Sequence, residues 1–186
     1  METNIVEKTI SKLHIHLKKL IISALFLALA LALPFLTGQI PEIGGMLCPM
    51  HFPVLLCGFV CGWQFGFAVG AIAPLLRHFI FAMPPLMTAI PMAFELAVYG
   101  LVCGILYAVF PKKNCYIYVS LLVSMILGRL VWGAVKFAMT GITNSTFGLS
   151  AFFAGAITTA IPGIILQILI VPAIVILLKK AKLELK

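Results

Sequence analysis

The chain has 186 residues, of which 63% are hydrophobic and only 10% charged, with 13 Lys and Arg against five acidic residues and a net charge of +8. Soluble domains average about 45–50% apolar and about 25% charged residues, so this composition excludes a water-soluble globule and predicts a single integral membrane domain over residues 1–186. Aspartate is absent, and neither a G-x-x-x-x-G-K-[ST] loop nor H-E-x-x-H occurs, which removes Asp-based Mg²⁺ sites, Ser-His-Asp triads, P-loop ATP hydrolysis and zincin chemistry.

Residues 1–19 form a basic segment with Lys8, Lys12, Lys18 and Lys19, too long and polar to lead a cleavable signal. The first apolar run is Leu20 to Leu36. A loop follows to about Met50, marked by Pro41, Gly44, Gly45 and Pro49. Apolar character resumes from His51 to Ala82, broken at Gly62-Trp63-Gln64, and then from Met87 to Phe110, Cys115 to Thr140 and Ser150 to Leu178.

Lysines decide how the second run is read. Ten of the 13 basic residues flank apolar runs: the four before the first, Lys112 and Lys113, and Lys179, Lys180, Lys182 and Lys186. If residues 51–82 are one helix, these clusters fall on both sides of the membrane. If the chain turns at Gly62, all ten lie on one side, which the positive-inside rule makes the cytoplasm. The expected fold is therefore an all-α bundle of six transmembrane helices over about 20–178. Residues 1–19 and the tail 179–186 are then cytoplasmic, and the second helix is short, requiring tilt or shielding by its neighbours. The basic residues lack the aromatic interleaving of a nucleic-acid surface, and no nucleic-acid partner is expected.

Three small-residue stripes recur at four-residue spacing: Ala24, Ala28 and Ala32; Gly58, Gly62, Gly66 and Gly70; and Gly100 and Gly104. Such stripes admit close helix approach, either inside the bundle or against a partner. Five cysteines form no C-x-x-C pair; with only His51 near Cys48, Cys57 and Cys61, packing is the expected role and no metal site is predicted.

Ionisable groups inside apolar runs are costly and must face protein or water. Arg77, Glu95, Arg129 and Lys136 are such groups, and topology puts most of them in the outer half. His78 follows Arg77, and Tyr99 lies one turn from Glu95. On the fifth span, Arg129, Trp132, Gly133, Lys136 and Thr140 share one face. The direct reading is an outward-facing pocket for a small polar molecule, with the surplus of cations favouring an anion. Arg77 pairing with Glu95 as a staple, and Lys136 snorkelling to headgroups, are the simpler structural alternatives. Gln39, Glu42, Gly44 and Gly45 lie beside the expected mouth, Asn144 sits in the last outer loop, and Thr158, Thr159 and Gln167 are the polar candidates near the end of the chain.

Several of these features resemble the substrate-binding S components of energy-coupling factor (ECF) vitamin transporters. They are the size, the six-helix layout, the Ala24-x-x-x-Ala28-x-x-x-Ala32 helix, the run from Gly45 to Gly58, Met83-Pro84-Pro85-Leu86, and Pro91-Met92-Ala93-Phe94-Glu95-Leu96. The resemblance implies a non-enzymatic plasma-membrane subunit that captures a water-soluble vitamin or related micronutrient from outside. It also implies that the loop between the first two helices (Gln39, Glu42, Gly44, Gly45) closes the pocket. The Ala24, Ala28 and Ala32 face would dock on a transmembrane coupling protein with two ATPases, which use the ATP, so no cofactor is expected in this chain. The candidate substrate contacts are Arg77, His78, Glu95, Tyr99, Arg129, Trp132, Lys136 and Asn144. Charge favours a pantothenate- or nicotinate-like anion, whereas Glu95 with an aromatic wall would equally suit a pyridine, thiamin-like or nucleobase-like ring. A standalone secondary transporter or a channel is the rival reading; each would work without an external ATPase.

Overall fold

A computed structural model describes residues 2–37, 46–111, 113–143 and 160–181, and every element among them is helical. In chain order these are α1 (Glu2–Ala32) with a short 3₁₀ turn (Leu33–Thr37), α2 (His51–Cys61), α3 (Trp63–Phe81), α4 (Leu86–Val109), α5 (Asn114–Thr143) and α6 (Ile161–Lys180). Five segments are long and apolar enough to cross a bilayer: Thr9–Leu36, Trp63–Phe81, Leu86–Val109, Asn114–Thr140 and Ile161–Lys180. His51–Cys61 is a shorter apolar helix. The chain is a multi-pass membrane protein.

Helix α1 begins well before the apolar run that starts at Leu20. Residues 2–19 contain neither Gly nor Pro, so nothing interrupts the backbone ladder ahead of the span. It ends at Ala32, two residues before Pro34, which lacks an N–H and clashes with the preceding turn, and the chain tightens into the 3₁₀ turn. The predicted break at Gly62 is real: its φ of 98° lies in the left-handed region that glycine tolerates, and α2 and α3 reverse direction there.

Helix α2 occupies the centre. It lies against α1, α3, α4 and α6, and all of its residues except Phe52 are buried. An 11-residue helix cannot span a bilayer of roughly 30 Å, but enclosed by four neighbours it does not have to. Its Val54 and Leu55 form the core with Leu96, Tyr99, Ile117, Leu121 and Val171 around them.

The glycine stripes are the seams of this core. Helices α3 and α4 run antiparallel with Gly66 on Gly100, Gly70 on the Leu96 carbonyl and Gly104 on Trp63. A methyl added at Gly58 of α2 would stand 2.7 Å from the Gly100 carbonyl oxygen. Lipid offers no hydrophobic drive for helix association, so such backbone approach supplies dispersion contact that larger residues would forbid. The alanine stripe is different. Ala24, Ala28 and Ala32 are exposed, while Ser23, Phe26, Leu27 and Ala30 turn toward the bundle.

Candidate functional site

Charged groups in an apolar bundle persist only where partners compensate their lost hydration. Glu95 is the one described carboxylate within the bundle, and it is 2% exposed. Three helices converge on its Oε1. Tyr99, one turn along α4, donates its hydroxyl at 3.0 Å; Arg129 of α5 brings Nη1 to 3.2 Å; and His51, the first residue of α2, brings Nε2 to 3.5 Å. The His51 ring meets the Tyr99 ring edge-on with centroids 5.3 Å apart.

Local sequence explains how these groups meet. Gly128 precedes Arg129, and a Cβ there would fall on the Tyr99 ring, so only glycine lets α5 approach α4 at this level. Before α2 the chain descends irregularly into the bundle. Gly163 of α6 backs onto the carbonyls of Met46 and Leu47, and Cys48 is buried in a left-handed conformation with φ 48°. Non-glycine residues seldom adopt that conformation, which costs about 1–2 kcal/mol. Here it turns the Cys48 sulfur to accept from Arg129 Nη2 at 3.6 Å and its carbonyl to accept the His51 N–H at 3.1 Å. Irregular backbone at membrane depth is tolerable because protein encloses it.

With one carboxylate against one guanidinium, the fixed charges of the cluster cancel. At this cluster His51 Nδ1 and Arg129 Nε are buried without a hydrogen-bond partner among the described residues, and so are both amide atoms of Gln167 on α6. The arrangement is a rigid polar site with hydrogen-bonding capacity to spare. It suits recognition of a small polar molecule.

Of the residues expected at the site, Glu95, Tyr99 and Arg129 come together. Arg77 does not join them. It is 3% exposed near the end of α3, donates to the Leu31 carbonyl of α1, and lies 4.9 and 5.3 Å from the Phe35 and Phe81 ring centroids. It caps a helix C-terminus, and among the described residues the groups paired with Glu95 are His51 and Arg129, not Arg77. His78 sits beside it, with Nδ1 2.8 Å from the Pro84 carbonyl. Trp132 is half-buried one turn above Arg129, and Lys136 reaches the Met87 carbonyl at 3.3 Å near the start of α4. The cations expected to act together are thus held at separate places. Gln39, Glu42, Gly44, Gly45 and Asn144 lie outside the described residues, as do Thr158 and Thr159.

His51 and Cys48 were not expected among the substrate contacts. The available signal was His51 itself, a polar ring at the head of the apolar run from His51 to Ala82, to which the cost of intramembrane polarity also applies. Among the described residues no group of His, Cys, Asp and Glu is placed to hold a metal ion. Neither curated proteins nor solved structures give a match to this chain. Residues 18–175, nearly the whole chain, match the family described as ECF transporter, substrate-specific component, and the chain belongs to that family.

Proposed function

We propose that this chain is the substrate-capture subunit of an ATP-driven ECF-type importer in the plasma membrane, carrying a water-soluble vitamin or related small micronutrient. The observation that carries the reading is the buried Glu95, Arg129, His51 and Tyr99 cluster inside the helical bundle of a family member. A polar site of this kind is costly to keep in a membrane protein and is favoured where it binds something. Six spans with both termini cytoplasmic agree with the lysine distribution and with a short α2 enclosed by its neighbours.

Capture takes place at the Glu95 cluster, with Trp132 and Asn144 as further contacts and Gln39, Glu42, Gly44 and Gly45 covering it. The expectation of a pantothenate- or nicotinate-like anion leaned on the combined charge of Arg77, Arg129 and Lys136. With Arg77 and Lys136 engaged elsewhere and Arg129 facing Glu95, net charge no longer favours either sign at this site. Ala24, Ala28 and Ala32 dock on a transmembrane coupling protein, whose two ATPases supply the energy. Their exposure on α1 supports that role over internal packing.

The test is uptake of the small molecule that co-purifies with the chain, identified by native mass spectrometry, into vesicles with and without the coupling module. Uptake should require both module and ATP. Ala28→Trp should abolish uptake while leaving the purified chain's affinity for that molecule unchanged. Uptake by the chain alone would establish the secondary-transporter reading instead.

A further inference from the structure

Gln167 of α6 is 1% exposed, and neither its Oε1 nor its Nε2 has a partner among the described residues. A primary amide offers one acceptor oxygen and two donor hydrogens, and leaving all of them unmet in a membrane bundle is unfavourable. Two independent registers set this amide at about the level of the Glu95 cluster. At one end of α6, Gly163 backs onto the carbonyls of Met46 and Leu47, and Gln167 lies one turn deeper on the same face, roughly 6 Å along the axis. Helix α2 descends in the same direction from His51. At the other end, Lys179 Nζ lies 3.4 Å from Asn114 Oδ1, pairing the end of α6 with the start of the antiparallel α5. Counting equal steps from that pair sets Gln167 level with Ile126, about one turn below Arg129. Helix α6 packs against both α2 and α5. Ser120, also without a partner, lies nine residues before Arg129 on α5, roughly 13 Å lower, and belongs to another level.

We propose that Gln167, together with His51, reads an uncharged donor–acceptor edge on the captured molecule: the edge of a carboxamide, a lactam or an amino-substituted nitrogen heterocycle. This rests on the reading of the Glu95 cluster as the capture site. Glu95 and Arg129 neutralise each other and His51 Nε2 faces Glu95 at 3.5 Å, so the unmet groups at this level among the described residues are the amide oxygen and nitrogen of Gln167, His51 Nδ1 and Arg129 Nε. A carboxylate has no hydrogen to give Gln167 Oε1. An ammonium has no lone pair to accept from Gln167 Nε2. An amide-type edge satisfies both atoms at once, as a Gln side chain does when it pairs with the edge of adenine.

The experiment uses the full chain, purified in detergent after removal of bound small molecules. It is titrated with two uncharged probes, nicotinamide and cytosine, and two acids, nicotinate and pantoate. Binding is followed by calorimetry and by the shift in melting temperature. At least one uncharged probe should bind, more tightly than either acid. Gln167→Leu should weaken it by tenfold or more, and Gln167→Glu, which keeps the shape but loses the amide donors, should weaken it as well. Without probe, Gln167→Leu should melt no lower than the parent chain, because it removes an unpaired buried amide; a residue needed for packing alone would melt lower. Preferential binding of an acid that is unchanged in Gln167→Leu overturns the amide edge and leaves the capture site standing. Binding of an uncharged probe equally by parent and both variants overturns the role of Gln167. Binding of none of the four overturns the inference, and failure of the chain to co-purify with any small molecule would overturn the capture reading with it.

Discussion

Arg129→Met is the most informative single change, because its cost can be worked from the geometry around Glu95. In the parent chain the Glu95 carboxylate, 2% exposed, has Arg129 Nη1 at 3.2 Å, the Tyr99 hydroxyl at 3.0 Å and His51 Nε2 at 3.5 Å. Removing the guanidinium leaves an uncompensated charge in the bundle. Breaking one side of a buried pair costs about 3–5 kcal/mol, and with the Tyr99 bond retained the lower end of that range is expected. Glu95→Gln should cost less, since Tyr99 still has an oxygen to donate to and the Arg129 side chain, 15% exposed, has some access to water. The double variant Glu95→Gln/Arg129→Met contains no unpaired charge, and its cost should fall short of the sum of the two singles by about 2 kcal/mol, within the range found for residues in contact. Unfolding in mixed micelles with rising SDS fraction, followed by the fluorescence of Trp63 and Trp132, measures all three. Singles that add to within about 0.5 kcal/mol would mean that Arg129 does not compensate Glu95, and the account of the site given above would fail.

Two further outcomes follow from the packing. Gly128→Ala places a methyl on the Tyr99 ring and should cost about 1–3 kcal/mol in the same assay while weakening capture; unchanged stability would refute the close approach of α4 and α5. Arg77→Met removes the bond to the Leu31 carbonyl and both ring contacts, so amide hydrogen exchange should accelerate from Leu31 to Thr37. A loss of affinity equal to that of Arg129→Met would instead return Arg77 to the capture site.

The comparison of sequence with structure turns on what a linear pattern encodes. Depth along a helix is a matter of counting, so the placement of Arg77 near the end of α3 and of Glu95 and Tyr99 one turn apart could be read directly. The turn at Gly62 was legible from the flanking lysines, which all fall on one side of the membrane only if the chain reverses at the Gly62-Trp63-Gln64 interruption. Azimuth is harder. Each residue rotates by about 100°, and no property of Arg77 or Lys136 says which neighbour it will face. Arg77 finds a helix end and two phenylalanines, and Lys136 finds a backbone carbonyl. The Gly58, Gly66, Gly70 and Ala24, Ala28, Ala32 stripes have the same spacing and opposite fates, seam and open face, because only the surrounding helices distinguish them. His51 escaped notice because the descent of Cys48 into the bundle is a tertiary event, and it alone brings α2 to the level of Glu95.

The enclosure of α2 has a bearing on how the chain is made. A segment of 11 residues is too short to be held across a bilayer by lipid alone, so it should enter the membrane as a hairpin with α3. Its seat is still incomplete when α3 and α4 are in place, because α6, which brings Val171 and Val175 to the core, follows them in the chain. Assembly therefore closes from the C-terminal side. A stop codon before Ile161 leaves the central helix bare along one flank, and such a product should be cleared by membrane proteases before it reaches a partner.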